Sequence, residues 1–260
     1  VAEAKKTKNL VGARRRKIFA RRMWMALKTI LVLASFAAAL WGLNYFYNSN
    51  YFRIKNIDIN GNTHYEDELI MELLPGIQGK NIFEADKKET EDAILEKLVW
   101  IRSVEFKKIF PDSIDINLAE RKPLLILLRG DIRYLLDGEG IVLEDLGRNA
   151  PEEYTDLLEV RDTKGYRLEP GDVAAKKNVL SCADIYAGFD DGLREIITGA
   201  GIRDNVSGDI YFTTRQGLEI IFGDSTQTIK KIEVLKLLLK EDRIYNIIDL
   251  KNPDNPVFKY

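Results

Sequence analysis

The chain reads as an α+β protein: an N-terminal transmembrane helix, then two mixed domains, the second a strand-rich β domain with helices. Three observations predict this. Residues 23–47, "MWMALKTILVLASFAAALWGLNYFY", carry a single charge, Lys28. Residues 53–120 follow the order strand, helix, helix, strand, strand. From Leu124 onward, short apolar runs separated by turn residues alternate with helical stripes. Two amphipathic helices need one sheet face to cover, so the first outer domain is a two-layer unit.

The apolar segment is long enough at 1.5 Å per residue to cross a hydrocarbon core about 30 Å thick. Trp24 at one end, and Trp41, Tyr45, Phe46 and Tyr47 at the other, fit two interfacial aromatic belts. A cleavable signal peptide would offer the small residues 37–39 as its cleavage site. Here, however, the basic region is long and the apolar run continues into aromatics, which favours an uncleaved anchor. Residues 1–28 hold ten Lys/Arg and one acid, Glu3, in a chain whose net charge is −2, so the remainder is strongly acidic. The positive-inside rule then places the N-terminus in the cytoplasm and residues 48–260 outside. The arginine cluster 14–22 could meet nucleic acid or acidic lipid. It lacks aromatic interleaving beyond Phe19, so a topology determinant is the reading adopted, with the bilayer as partner and no nucleic acid expected. Ala34, Ser35, Ala37 and Ala38 would let a second helix approach closely, the alternative being a lipid-exposed face.

In the first outer domain, "RIKNIDIN" places Ile57 and Ile59 on one strand face before a Gly61-Asn62 turn. Thr63 to Glu66 reads as a capping box opening a helix with Leu69, Ile70, Leu73 and Leu74 on one side, stopped by Pro75-Gly76. Asp86 caps a second helix facing inward with Ala93, Ile94 and Leu98. Val104 and Phe106 mark a second strand. In "FPDSIDINLAERKP", Ile114, Ile116 and Leu118 alternate on a third, which ends at a charged triplet and Pro123.

The second outer domain opens with Leu124–Leu128. "YLLDGEGIVLED" is a hairpin turning at Asp137-Gly138. A helix is expected over about 172–187 and a shorter one near 193–197. "DIYFTTRQGLEIIFGD" forms a second hairpin. In "STQTIKKIEVLKLLLKED", Ile229, Ile232, Leu235 and Leu239 form one helical stripe, and Lys230, Lys231 and Lys236 a basic face that could meet an acidic partner. "NIIDL" and "PVFKY" are the closing strands.

No catalytic arrangement, cofactor site or metal-ligand spacing is present in this sequence, and an enzyme is not expected. The chain has one His, His64, read as a solvated capping-region residue, and one Cys, Cys182, read as buried and apolar.

The β-α-α-β-β order, the "IDINGNTHY" entry and the "FPDSIDINLAERKP" exit resemble a POTRA domain. One such domain directly after a single N-in span, with "YLLDGEGIV", "GLEIIFGD" and "IIDLKNPDNPVFK" in order behind it, resembles the FtsQ/DivIB family of bacterial division proteins. The resemblance implies a basic tail at 1–22, a transmembrane helix at 23–47, a POTRA domain at 48–122 and an FtsQ-type β domain at 123–260. It implies a non-enzymatic divisome scaffold in the bacterial inner membrane, at the division septum. Its implied partners are the bitopic proteins FtsB and FtsL, through which it would reach septal peptidoglycan synthesis. Glu120, Arg121 and Pro123 match the family's Glu-Arg-x-Pro element at the joint between domains. Val257, Phe258, Lys259 and Tyr260 match the edge strand to which an FtsB segment adds. Two departures from the family pattern are noted: the sequence has no tail after Tyr260, and Pro253 and Pro256 flank the last turn. The alternative is a POTRA-containing transport or membrane-protein assembly factor. It would be spread around the envelope rather than gathered at midcell, and the strands of a membrane barrel are not left over here.

Overall fold

The computed structural model describes residues 2–74, 76–162, 165–174, 177–203, 208–241 and 245–259, and of residues 2–20 the backbone alone. Pro75, expected to stop the first short helix, and Tyr260 lie outside the described residues.

Helix α1 runs unbroken over Ala2–Tyr47. Within its stretch Arg21–Tyr47, none of it buried, an 18-residue window has a mean hydropathy of 1.8, so among the described residues one helix is long and apolar enough to cross a membrane. The hydroxyls of Thr29 and Ser35 donate back to the carbonyls of Met25 and Val32, at 3.0 and 2.9 Å, so both are satisfied within the helix. Ala34, Ser35, Ala37 and Ala38 are all exposed on it.

The next elements are β1 (Asn56–Asn60), α2 (Asp67–Glu72), α3 (Lys87–Lys97), β2 (Ile101–Ile109) and β3 (Ser113–Glu120), the expected order. They form a three-stranded sheet, β1-β3-β2, with β1 parallel to β3. On β3 the alternation is as read: Ile114, Ile116 and Leu118 are buried, with Asp115 and Asn117 less so. Asp86 caps α3, accepting from Lys88 N and Glu89 N at 2.8 and 3.2 Å. The capping box at Thr63 does not form. α2 starts at Asp67, because the amides of Thr63 and His64 are taken instead by Glu120 Oε1, at 2.6 and 2.7 Å.

The remaining strands are β4 (Pro123–Arg129), β5 (Ile132–Asp137), β6 (Val142–Gly147), β7 (Leu158–Asp162), β8 (Ile197–Ile202), β9 (Ile210–Thr214), β10 (Glu219–Gly223), β11 (Ile247–Asp249) and β12 (Val257–Lys259). Among the described residues three α-helices interrupt them: α4 (Lys177–Ala187), α5 (Asp191–Ile196) and α6 (Thr228–Leu239). The strands make one nine-stranded mixed sheet in the order β12-β11-β10-β9-β8-β7-β4-β5-β6. Its core face carries Leu127, Val160, Ala200, Phe212, Ile220 and Ile248. Val179, Cys182 and Ile185 of α4, and Ile232, Leu235 and Leu238 of α6, belong to the same cluster. A smaller cluster gathers Ile126, Leu135 and Leu143 with Trp100, flanked by Tyr65 and Leu157.

Three expectations are corrected here. α4 begins at Lys177 rather than 172, because 172–174 run alongside the β5–β6 hairpin: Val142 N donates to Asp172 O and Ala174 N to Gly140 O. Ile229 is 77% exposed, and the inward stripe of α6 is Lys231, Ile232, Leu235 and Leu238. Lys231 is therefore no part of a basic outer face. Its ammonium is buried and donates to Phe222 O at 2.7 Å and to the carbonyl and carboxylate of Asp224, each at 3.1 Å.

By its contacts the chain falls into two compact units. One comprises residues 1–60, 68–90 and 105–117, the other residues 61–67, 91–104 and 118–260.

Candidate functional site

The last strand sits at the sheet's rim because of how the chain reaches it. α6 carries the chain from β10 to β11, which pairs parallel to β10. The segment 250–256 then reverses direction and β12 returns antiparallel on β11, with Phe258 opposite Ile248 and Val257 opposite Asp249. β12 has β11 as neighbour on one side and no strand on the other among the described residues.

Alternation along β12 divides its side chains. Phe258 continues a row across the sheet through Ile248, Ile220, Phe212 and Ala200, and its ring meets Tyr245 at 5.4 Å. Val257 and Lys259 point to the other side and are exposed, Val257 at 57%. The same row as Val257 runs through Asp249, Ile221, Tyr211 and Gly201. A Cβ on Gly201 would run into the Tyr211 ring, so the ring lies down on the glycine.

The turn before β12 is fixed from several directions. Lys230 on α6 pairs with Asp254. Lys251 bridges Asp209 at 3.3 Å and Asp249 at 3.6 Å, and the hydrogen bond to Asp209 together with both charges raises its ammonium above the ordinary lysine range. Pro253 is buried. Lys236, the third lysine of the expected basic face, pairs with Asp190 at 2.7 Å. The basic face is thus engaged within the chain, and at this end β12 forms the rim of the sheet, bordered by Val257 and Lys259, with no strand beyond it among the described residues. An extended partner segment can add to such an edge through main-chain hydrogen bonds.

The second group of expected residues also acquires defined roles. Arg121 N donates to Trp100 O at 2.7 Å, and its guanidinium reaches Asp137 Oδ2 at 2.6 Å and Glu139 Oε2 at 2.8 Å. Arg102 closes the network on Glu139 at 2.8 Å. Asp137 is buried and its other oxygen accepts from the amides of Glu139 and Ile141, so it also shapes the β5–β6 turn. Pro123 opens β4 opposite Asp137. Glu120 clamps the loop at Thr63, where Gly61 has φ +87° and a Cβ would collide with Leu118 O.

Hydrogen bonding from Arg121, and then from Arg102, holds the Glu139 carboxyl below its ordinary 4.5. A depressed carboxyl contributes stability that is complete above its unfolded-state value and is lost as pH falls through the folded one. In urea titrations, Arg121→Met is therefore expected to be less stable than the wild type at pH 7, with the gap narrowing below about pH 4. A gap independent of pH would contradict the network's charge-assisted character.

The residues that could suggest chemistry are otherwise engaged. Cys182 is buried, its thiol donates to Asn178 O at 3.2 Å, and burial pushes it up to about 12. His64 stacks on Trp100, ring centroids 4.1 Å apart, rather than standing as a solvated cap residue alone. Among the described residues no group of three His, Cys, Asp or Glu could hold a metal ion.

Comparison with known proteins agrees with this architecture. Residues 52–121 match the family model described as POTRA domain, FtsQ-type. Cell division protein FtsQ of Neisseria meningitidis is 36% identical over 117 residues, covering 44% of this chain and 48% of that protein. The FtsQ of Syntrophotalea carbinolica is 34% identical over 142 residues, 55% of this chain and 49% of that one. That of Chloroflexus aggregans is 23% identical over 239 residues, 87% of this chain and 80% of that one. The matched part spans about half the length of the first two relatives and most of the third. With an FtsQ-type POTRA domain behind an apolar helix and a mixed strand-rich sheet after it, the chain is similar to FtsQ cell division proteins along most of its length.

Proposed function

We propose that this chain is a non-enzymatic scaffold of the bacterial divisome, anchored by one span with its N-terminus in the cytoplasm. Its β domain takes up a segment of FtsB along β12, and with FtsL the complex is tied to septal peptidoglycan synthesis. The observation that carries the reading is the position of β12 at the rim of the sheet, with no strand beyond it among the described residues, a fixed turn before it and Val257 and Lys259 exposed on it. Support for the partner's identity is the likeness to FtsQ proteins. Support for the orientation is the concentration of Lys/Arg before residue 29. The Glu120, Arg121 and Pro123 element would serve as the joint between POTRA and β domains, and Ala34, Ser35, Ala37 and Ala38 as the packing face of the span.

Co-purification of the full chain with FtsB and FtsL from membranes tests the scaffold role. Both partners are expected to come with it, and recovery of the intact chain without either would contradict the reading. Topology has its own expected result: a reporter active only outside the cytoplasm, fused after Tyr260, should be active, and a cytoplasm-dependent reporter there should be silent. The opposite pair of results refutes the orientation.

A further inference from the structure

The end of α1 is gripped by the folded segment that follows. Asn81 Nδ2 donates to Tyr47 O at 2.7 Å. Arg53 donates to Gly79 O at 3.0 Å and to Asn50 Oδ1 at 2.9 Å. Around this grip a chain of aromatic rings forms. Phe46 meets Phe52 at 5.0 Å, Tyr51 meets Phe52 at 5.2 Å and Tyr47 stacks on Phe83 at 5.2 Å. Phe83 also touches Phe52 at 5.1 Å and Phe110 at 5.3 Å. Phe83 comes from the loop before α3 and Phe110 from the turn between β2 and β3, so the fold brings distant parts of the sequence to the exit of the helix.

These rings do not build a core. Phe46, Tyr51, Phe83 and Phe110 are 57, 58, 44 and 55% exposed, and neighbouring Ile109 is 49% exposed. A contiguous apolar patch of this kind is rare on a surface that meets only water. It is continuous with the apolar stretch of α1, which ends at Tyr47, so it begins where that stretch would meet an interface. Aromatic rings favour that layer because one part of it is apolar and the other wet. Lys108, whose ammonium donates to Phe83 O at 3.4 Å, places a cation beside the patch.

We propose that Phe46, Tyr51, Phe83, Ile109 and Phe110 form a second membrane contact. They seat the folded domain in the interfacial layer of the leaflet from which α1 emerges, with Lys108 toward lipid phosphate. The domain is then pinned to the bilayer surface instead of swinging from the helix. This rests on α1 spanning a membrane.

Single nitroxide labels on the full chain in phospholipid vesicles test it. Buried Cys182 does not compete for labelling. Labels go in at Phe83→Cys, Ile109→Cys and Phe110→Cys. Phe36→Cys within α1 and Asp58→Cys on the exposed side of β1 serve as references. The patch labels are expected to relax more with dissolved oxygen than with a water-soluble nickel complex, as at position 36 and opposite to position 58. Adding Phe83→Glu and Phe110→Glu to the Ile109→Cys chain should turn that label aqueous without altering the circular dichroism. If position 36 reads as lipid while 83, 109 and 110 all read like 58, the patch does not contact membrane. If position 36 itself reads as aqueous, the span fails and this contact with it.

Discussion

Replacing Val257 by Asp and Lys259 by Glu together is expected to weaken capture of FtsB by the full chain about tenfold or more, with no loss of fold. Both side chains are exposed on β12 and neither belongs to the core, so the substitution alters what a partner meets and little else. A tenfold loss corresponds to about 1.4 kcal/mol, the scale of one well-seated interface residue. Phe258 is the wrong residue to change, although the sequence offers it equally. Its ring packs on Tyr245 and the main core cluster, so a charge there disturbs the fold as well as the edge. A pull-down beside a thermal melt decides the matter: undiminished capture by the folded double variant would count against the edge.

Lys231→Met is expected to lower stability by about 2–4 kcal/mol. Methionine keeps the buried stem but removes the ammonium. That takes one donor from Phe222 O, which keeps Asp224 N, from the carbonyl of Asp224, and from its carboxylate, which keeps Thr226. Asp224 itself is held below the usual carboxylate range, first by the Thr226 hydroxyl and then, after the opposing effect of burial, by further bonds that include Lys231. At about 2–4 °C per kcal/mol for a chain of this size, the melting temperature should drop by roughly 5–15 °C. Lys230→Met, which loses only a surface pair with Asp254, is expected to stay within about 1 kcal/mol of the wild type. Equal effects of the two substitutions in denaturant titrations would show that the buried ammonium is not a structural donor.

Much of this fold is legible in local pattern. Strict alternation reveals β3, since Ile114, Ile116 and Leu118 can be buried together only on a strand. The Asp137-Gly138 turn reveals the β5–β6 hairpin. What escapes the sequence depends on distant partners. β8 is hidden because Gly199 and Gly201 carry no side chain to show a period, and what makes it a strand is its pairing with β7 and β9, where the Tyr211 ring lies over Gly201. Lys231 looks like a surface cation until the β10 end supplies three acceptors. The Thr63 capping box fails because Glu120, 57 positions away, reaches those amides first. The site divides in the same way. Membership of β12 at the end of the chain is readable, but which of Val257 and Phe258 faces outward is set by the register with Ile248.

The central claim, that β12 is the strand to which FtsB adds, is tested most directly by amide hydrogen exchange of the full chain with and without FtsB. Strand addition predicts that the amides of Val257–Lys259 whose N–H groups point away from β11 slow markedly when the partner is present, while those of β6 at the opposite rim are unchanged. Unaltered exchange across Val257–Lys259 in a chain shown to be saturated with FtsB would contradict the claim.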